Sequence, residues 1–216
     1  MTPPSPGSSV PGSAPASLHE LLALFPVLAP PVSTAGAAVV IVLREGEFEV
    51  ETLLIERAER PEDPASGQVA FPGGHVSEGD GSLAVTALRE VEEEVGLSRA
   101  DLAGELHYVD TVLAVRFGLK VAVFATGLSA RAHAPTARSA EEVAHVFWLP
   151  RSALATSRPV VRETMRGSTE VPATVFEGHI LWGFTRRVIC QFFGITSQDQ
   201  PIGPVFAPHF VEPPDG

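Results

Sequence analysis

Four glutamates fall within five consecutive positions of this 216-residue chain, directly after Arg89: they are Glu90 and residues 92–94. Carboxylates four positions apart project from one side of a helix and repel each other by roughly a few tenths of a kcal/mol. Oxygen ligands grouped in this way are also those that Mg²⁺ and Mn²⁺ prefer. The run is therefore either a solvated acidic face or a site for a divalent cation.

Residues 82–95 are predicted to form the helix that presents these carboxylates, with Gly96 ending it. At about 100° per residue, the buried stripe of this helix is expected to consist of Ala84, Leu88, Val91 and Val95. Glu90 and Glu94 lie one turn apart beside that stripe, and Glu93 lies nearly opposite it. Three of the four glutamates therefore share one side of the helix.

The residues around the glutamates favour the metal site. Gly73 and Gly74 precede the helix, and residues 89–97 read Arg-Glu-(apolar)-x-Glu-Glu-x-Gly-(apolar). This string resembles the signature of the Nudix hydrolases, Gly-x5-Glu-x7-Arg-Glu-U-x-Glu-Glu-x-Gly-U with U apolar, and its second half matches at every fixed position. The resemblance implies an α/β fold, a Nudix-type α/β/α sandwich with a mixed β-sheet flanked by helices. It also implies hydrolysis of a diphosphate linked to another group.

The first half of the signature departs from the family pattern. Counting forward from Gly74 places Asp80 where the family has its first glutamate, and eight residues rather than seven then precede Arg89. The loop is therefore one residue longer, and Asp80 is expected to take the structural, supporting role of that glutamate.

The resemblance implies roles for single residues and a cofactor, Mg²⁺ or Mn²⁺. The expected metal ligands are Glu90, Glu93 and Glu94. Arg89 is expected to orient a glutamate, and the turn at Gly73 and Gly74 lets the backbone approach the diphosphate closely.

The general base is left open between two places. Glu93 is the first candidate, because the family can use a glutamate of the signature itself. Glu141 and Glu142, just before a predicted strand, are the second, because the family can also use a glutamate from a distant loop. The alternative for both of these residues is that they are ordinary loop charges.

Two further stretches resemble the coenzyme A diphosphatase branch of the family. That branch tends to carry Leu-Leu-Thr-x-Arg-(Ser/Ala)-x3-Arg-x3-Gly-x3-Phe-Pro-Gly-Gly before the signature. The chain keeps Leu53, Leu54, Arg57, Ala58, Gly67 and residues 71–74. Ile55 replaces the threonine, and Glu62 stands at the second arginine, with Arg60 two residues earlier. Near the C-terminus, Trp182, Gly183 and Thr185 also fit the branch.

The substrate implied is a small-molecule diphosphate, with coenzyme A or acyl-coenzyme A first. Arg57 and Arg60 are candidates to bind its phosphates, or are surface arginines at a strand end. Trp148 and Phe117 could stack on an adenine, or pack in the core. Two alternatives remain: a broader pyrophosphatase of ADP-ribose, NADH or nucleoside triphosphates, and a Nudix module that binds a nucleotide without cleaving it. Homodimers are common among similar proteins, so a homodimer is a further expectation.

The composition of the chain disfavours some classes of binding partner and favours one cellular compartment. The net charge of −11 disfavours binding to nucleic acid or to an anionic membrane through a basic surface. The single cysteine, Cys190, excludes an internal disulfide and favours a reducing, cytoplasmic compartment. No apolar run reaches the roughly 18 residues that a membrane helix needs, so no membrane span is expected.

Hydrophobic periodicity and turn residues predict the strands and helices that position these residues. Strands are predicted at residues 35–45, 48–59, 68–74, 105–115, 119–128 and 143–150. Besides residues 82–95, helices are predicted from Ser17 to Pro26 and from about Gly178 onward. The domain organisation expected is a disordered Pro/Ser/Gly-rich tail at 1–16, an N-terminal helix and linker at 17–34, the Nudix domain at 35–195 and an irregular tail at 196–216.

Overall fold

The computed structural model describes residues 17–28, 30–63, 65–164 and 167–195. In chain order, its helices and strands are α1 (Leu18–Leu22), β1 (Ala37–Glu45), β2 (Val50–Arg57), β3 (Val69–Ala70), β4 (Gly73–His75), α2 (Leu83–Val95), β5 (Leu102–Ala114), β6 (Leu119–Leu128), β7 (Val143–Pro150), β8 (Arg158–Thr164), β9 (Gly167–Phe176), β10 (His179–Trp182) and α3 (Gly183–Phe192). Within these ranges, no helix has the length and apolarity to cross a membrane. The tails predicted at 1–16 and 196–216 lie outside the described residues.

The main sheet is mixed and is built around β1. Strand β1 runs parallel to β6 and antiparallel to β2 and β4, and the order along the sheet is β3-β2-β1-β6-β5. Strand β7 pairs antiparallel with β2 along residues 51–57. The pairing of β4 sets Gly73 opposite Val39 and Gly74 opposite Ala38, so the glycine pair is fixed against the central strand.

Alternate side chains of β1 fill two separate cores. Val40 and Val42 pack with the apolar face of α2, whereas Ile41 and Leu43 pack on the other face with residues of α1 and α3. Because strand side chains alternate between faces, a strand buried on both sides reads as a continuous apolar run. Helices on both faces of a mixed sheet confirm the predicted α/β/α sandwich. The free thiol of Cys190 is buried in the second core, as predicted.

A second, three-stranded antiparallel sheet, β8-β9-β10, was not predicted. It corrects the predicted start of the C-terminal helix at Gly178: residues His179–Trp182 pair with β9, and α3 begins only at Gly183. The N-terminal helix is also shorter than predicted. It ends at Leu22, since the following amides of Leu24 and Phe25 bond three residues back rather than four.

Helix α2 has the predicted ends but a different buried face. The Ser82 hydroxyl accepts a bond from the Val85 amide, and Gly96 closes the helix in the left-handed conformation. Its buried residues are Leu83, Thr86, Ala87, Val91, Glu94 and Val95, while Ala84 and Leu88 lie half-buried beside them. The predicted stripe is therefore rotated, and Glu94 belongs to the buried side rather than to the flank.

Candidate active site

Strand β4 holds two carboxylates of α2 against its glycines. The Gly73 amide donates a hydrogen bond of 2.9 Å to Glu94 Oε2. A Cβ on Gly73 would lie 2.3 Å from the Ala38 carbonyl oxygen, and the φ of +146° also favours glycine. A Cβ on Gly74 would lie 2.5 Å from Cδ of Glu90. The absence of a side chain at Gly73 therefore lets β4 lie against β1, and its absence at Gly74 leaves room for the carboxylate of Glu90.

Glu94 is a buried carboxyl group with only 3% of its surface exposed. Burial raises its pKa to about 8, and the charges of Glu90 and Glu142 act in the same direction. The hydrogen bond from the Gly73 amide opposes this shift. Burial also raises the pKa of Glu90, against the stabilising hydrogen bond from Arg89. The site therefore concentrates carboxylates that lack enough compensating positive charge of their own.

Arg89 connects the carboxylates to the loop before α2. Its Nη1 donates to Glu90 Oε1 at 2.8 Å and to Glu93 Oε2 at 3.0 Å. Its Nη2 donates to Asp80 Oδ2 at 3.1 Å and to the His75 carbonyl at 3.0 Å. The planar guanidinium, with its fixed fork of donors, thus sets the directions of two glutamates at once.

Asp80 accepts hydrogen bonds from Arg89 and holds its guanidinium in place. Its carboxylate also accepts hydrogen bonds from the Ser77 amide and the Thr86 hydroxyl, both at 2.9 Å. The bond from Arg89 is the main reason that the pKa of Asp80 is lowered to about 2. Aspartate is shorter than the glutamate of the family signature, but Asp80 reaches the guanidinium of Arg89 because residues 77–80 form a turn. Asp80 is therefore placed as the predicted supporting role requires.

Glu142 belongs to a loop that is distant in sequence from α2 and contacts it. This loop crosses the end of α2, where the Thr136 and Arg138 amides donate to the Val95 and Glu94 carbonyls. Glu142 is exposed, and its charge contributes to raising the pKa of both Glu90 and Glu94. The structure thus places Glu142 on a loop that packs on the C-terminal end of α2.

The two arginines that were predicted to bind phosphate make different contacts in the structure. Arg57 lines a cavity of about 460 Å³ together with Gly73 and Gly74, and it pairs with Asp63 at 2.6 Å. Arg60 lies outside the described lining of this cavity, and its Nε donates to the Glu141 carbonyl at 2.7 Å. Arg60 therefore braces the loop that carries Glu142. Asp63 was missed by the sequence analysis, because a single aspartate in an irregular loop carries no periodic signal.

The donor set suits a hard divalent cation. It consists of carboxylate oxygens only, and these are partly buried and mutually repelling, which a bound cation would relieve. In the conformation of the described residues, however, no three His, Cys, Asp or Glu side chains form a ready-made metal cluster. Glu90 and Glu93 are turned toward Arg89, which would compete with an ion for their oxygens.

The raised pKa of Glu94 predicts how the metal-free protein responds to pH. Between about pH 4.5 and 8 the folded chain keeps a proton on Glu94 that the unfolded chain releases, so stability falls as pH rises through this range. Glu94→Gln resembles the protonated form and escapes this loss. We expect equal melting temperatures near pH 5 and, at pH 8.5, a variant at least about 2 °C more stable. A variant less stable at pH 8.5, measured by thermal unfolding in chelator, would contradict the assignment.

Comparison with known proteins places this chain in a family. The sequence model of the NUDIX domain matches residues 33–168. The chain is 32% identical to "Uncharacterized Nudix hydrolase NudL" of Cronobacter sakazakii, over 82% of this chain and 93% of that protein. It is 33% identical to the protein of the same name from Citrobacter koseri, over 80% and 91%.

Two solved structures match parts of the chain at lower identity. The MutT/nudix family protein from Enterococcus faecalis is 18% identical, with a TM-score of 0.47 over 81% of this chain and 67% of its own. The NUDIX domain of Shewanella oneidensis NrtR, crystallised with ADP ribose, is 22% identical, with a TM-score of 0.44 over 54% and 72%.

Proposed function

The chain belongs to the Nudix hydrolase family, whose members act on diphosphate linkages, and from this premise we propose that it hydrolyses coenzyme A or acyl-coenzyme A. The products are 3′,5′-ADP and 4′-phosphopantetheine or its acyl derivative. The observation that carries the proposal is the position of Arg57. This arginine, kept from the motif of the coenzyme A diphosphatase branch, lines the same cavity as Gly73 and Gly74.

The proposed cofactor is Mg²⁺ or Mn²⁺, held by Glu90, Glu93 and Glu94. When bound, the ion supplies charge neutralisation for the diphosphate and helps to ionise the attacking water. The protein contributes the positions of the oxygens. The Gly73 amide holds Glu94, and Arg89 directs Glu90 and Glu93 while Asp80 fixes Arg89.

The general base is proposed to be Glu93, with Glu142 as the second candidate. Glu93 is 57% exposed at its side chain, which leaves a carboxylate oxygen accessible to water. Its bond to Arg89 keeps it oriented. The case for Glu142 is that its loop packs on the C-terminal end of α2 and that its charge contributes to raising the pKa of Glu90 and of Glu94.

Variants of the two candidates distinguish these assignments. We expect Glu93→Gln to lower kcat by about a hundredfold or more, the usual contribution of a positioned base. Glu142→Gln should lower kcat by less than about tenfold. Glu141→Gln is the comparison within the same loop: a loss of kcat in Glu142→Gln that Glu141→Gln does not share assigns the effect to Glu142. A larger loss for Glu142→Gln than for Glu93→Gln, in steady-state kinetics across pH, would move the role to Glu142.

A substrate panel tests the proposed function itself. Purified protein with Mg²⁺ or Mn²⁺ is incubated with coenzyme A, acetyl-coenzyme A, ADP-ribose, NADH and a dinucleoside polyphosphate. We expect the highest kcat/KM for the coenzyme A substrates, with 3′,5′-ADP as the product. Preferred cleavage of another member would establish a broader pyrophosphatase instead. Binding without turnover of any member would indicate a non-catalytic module, although the complete glutamate set favours catalysis.

The proposal also covers the cellular compartment and the oligomeric state of the protein. With a single buried thiol and a diphosphate metabolite as substrate, a cytoplasmic location is proposed. A homodimer is proposed only by likeness to other family members.

A further inference from the structure

A second cavity extends the first one away from the glycine pair. It has a volume of about 360 Å³ and lies between the second sheet and the start of α3. Four residues line both cavities: Gln68, Ala114, Phe117 and Phe184. The two cavities therefore adjoin along this shared wall; together they are called the groove, which runs from Gly73 and Gly74 past the beginning of α3 to Arg186 and Arg187.

The groove passes a helix N-terminus that no side chain caps. Helix α3 begins at Gly183 after Trp182, has no side-chain cap and carries no acidic residue in its first turn. Residues 182–184 line the second cavity. The unpaired amides of a helix start carry partial positive charge and favour an anion in front of them.

Arg186 gives a second and independent indication of an anion. It is only 3% exposed and lines the same cavity. Its Nε donates to the Thr174 hydroxyl at 3.3 Å, but its Nη2 has no hydrogen-bond partner. A buried guanidinium with an unused donor is costly unless an acceptor is supplied from outside the chain.

Arg187 lines the same cavity and strengthens this indication. Its Nη2 donates to the Leu113 carbonyl at 3.0 Å, while its buried Nε has no partner. Burial lowers the pKa of Arg187. Among the ion pairs of the described residues, none includes Arg186 or Arg187. Two cationic side chains therefore face this cavity without a carboxylate of the described chain to neutralise them.

We infer that this end of the groove is a subsite for a phosphate monoester, held by Arg186, Arg187 and the start of α3. The inference rests on the proposed function, in which the phosphate is the 3′-phosphate of coenzyme A. Planar guanidinium groups form paired, charge-assisted hydrogen bonds with phosphate oxygens. Phe117, which is 43% exposed, lies along the groove between the two ends, where a nucleoside ring can contact it.

A matched pair of substrates isolates this phosphate: coenzyme A and 3′-dephospho-coenzyme A. We expect the wild type to prefer coenzyme A by about tenfold or more in kcat/KM, the effect of a few charge-assisted hydrogen bonds, mainly through KM. Arg186→Met, which keeps the buried volume, should reduce the preference to about one. Arg99→Met is the control for a lost positive charge, because Arg99 pairs with Glu105 on the surface. Equal kcat/KM values for the two substrates with the wild type would overturn the inference and leave the proposed function standing.

Equilibrium binding tests the subsite without catalysis. Calorimetry on the metal-free protein compares 3′,5′-ADP with 5′-AMP, which differ only in the 3′-phosphate. We expect the wild type to bind 3′,5′-ADP about tenfold more tightly or better, and Arg186→Met to lose this difference. The melting temperature of Arg186→Met should not fall, whereas a purely structural arginine would lower it. If no coenzyme A is hydrolysed, the proposed function fails, and the binding comparison still decides the subsite: equal affinities would refute it.

Discussion

Glu94→Gln is expected to lower kcat by more than about a hundredfold, the scale of losing a preorganised electrostatic group, while the protein remains folded. Glutamine keeps the size of the side chain and can still accept the bond from the Gly73 amide. It cannot supply the negative charge that a divalent cation requires. The loss should therefore appear in turnover and in metal affinity, without a loss of structure.

Steady-state kinetics with coenzyme A at saturating Mg²⁺ measure this effect. Glu92→Gln is the matched control: it removes one carboxylate from the same turn of α2, at an exposed position outside the proposed ligand set. We expect it to retain most of the activity. A fully active Glu94→Gln protein would refute the role assigned to this carboxylate.

Gly73→Ala is expected to destabilise the fold by about 3 kcal/mol or more, because the new methyl group would overlap backbone rather than movable side chains. The Cβ would lie 2.3 Å from the Ala38 carbonyl oxygen and 2.5 Å from Val39 Cα, at a φ of +146°. Strand β1 lies at the centre of the sheet and cannot move away without disturbing both cores. Chemical denaturation measures the loss.

The neighbouring glycine provides the contrasting variant. The atoms nearest to a Cβ on Gly74 would be those of the Glu90 carboxylate, at 2.5–2.6 Å, and this end of the side chain can rotate. We expect Gly74→Ala to lose less than about half as much stability as Gly73→Ala, but to reduce activity by displacing Glu90. Similar free energies of unfolding for the two variants would show that β4 is not held against β1 as described.

The string of residues 89–97 predicted the helix, its closing glycine and the family, because these features are encoded by local spacing. The burial of Glu94 was not predictable from that spacing. A helical wheel assigns burial by apolar side chains, whereas strand β4 packs on the side of α2 where Glu90 and Glu94 lie. Its glycines contribute nothing apolar to such a pattern. Tertiary contact therefore overrode the periodicity.

Non-local contacts also explain the other differences. Residues 179–182 lack the side chains that would forbid a helix, and their pairing with β9 alone makes them extended. Arg60 was a reasonable phosphate ligand by its charge and position, yet its guanidinium bonds the backbone carbonyl of Glu141, 81 residues away. Glu142 illustrates the opposite case. Its place follows from the loop that packs on the C-terminal end of α2, which the sequence indicated only as polar.

Titration calorimetry with Mg²⁺ and Mn²⁺ tests the central claim most directly, namely that the carboxylates of residues 90, 93 and 94 hold a divalent cation beside a diphosphate. The measurement compares the folded wild type with Glu94→Gln, each with and without a non-hydrolysable diphosphate ligand. The account predicts saturable binding by the wild type, tightened by the ligand and weakened at least about tenfold in the variant. Absence of uptake of either ion by the wild type, with or without the ligand, would contradict it.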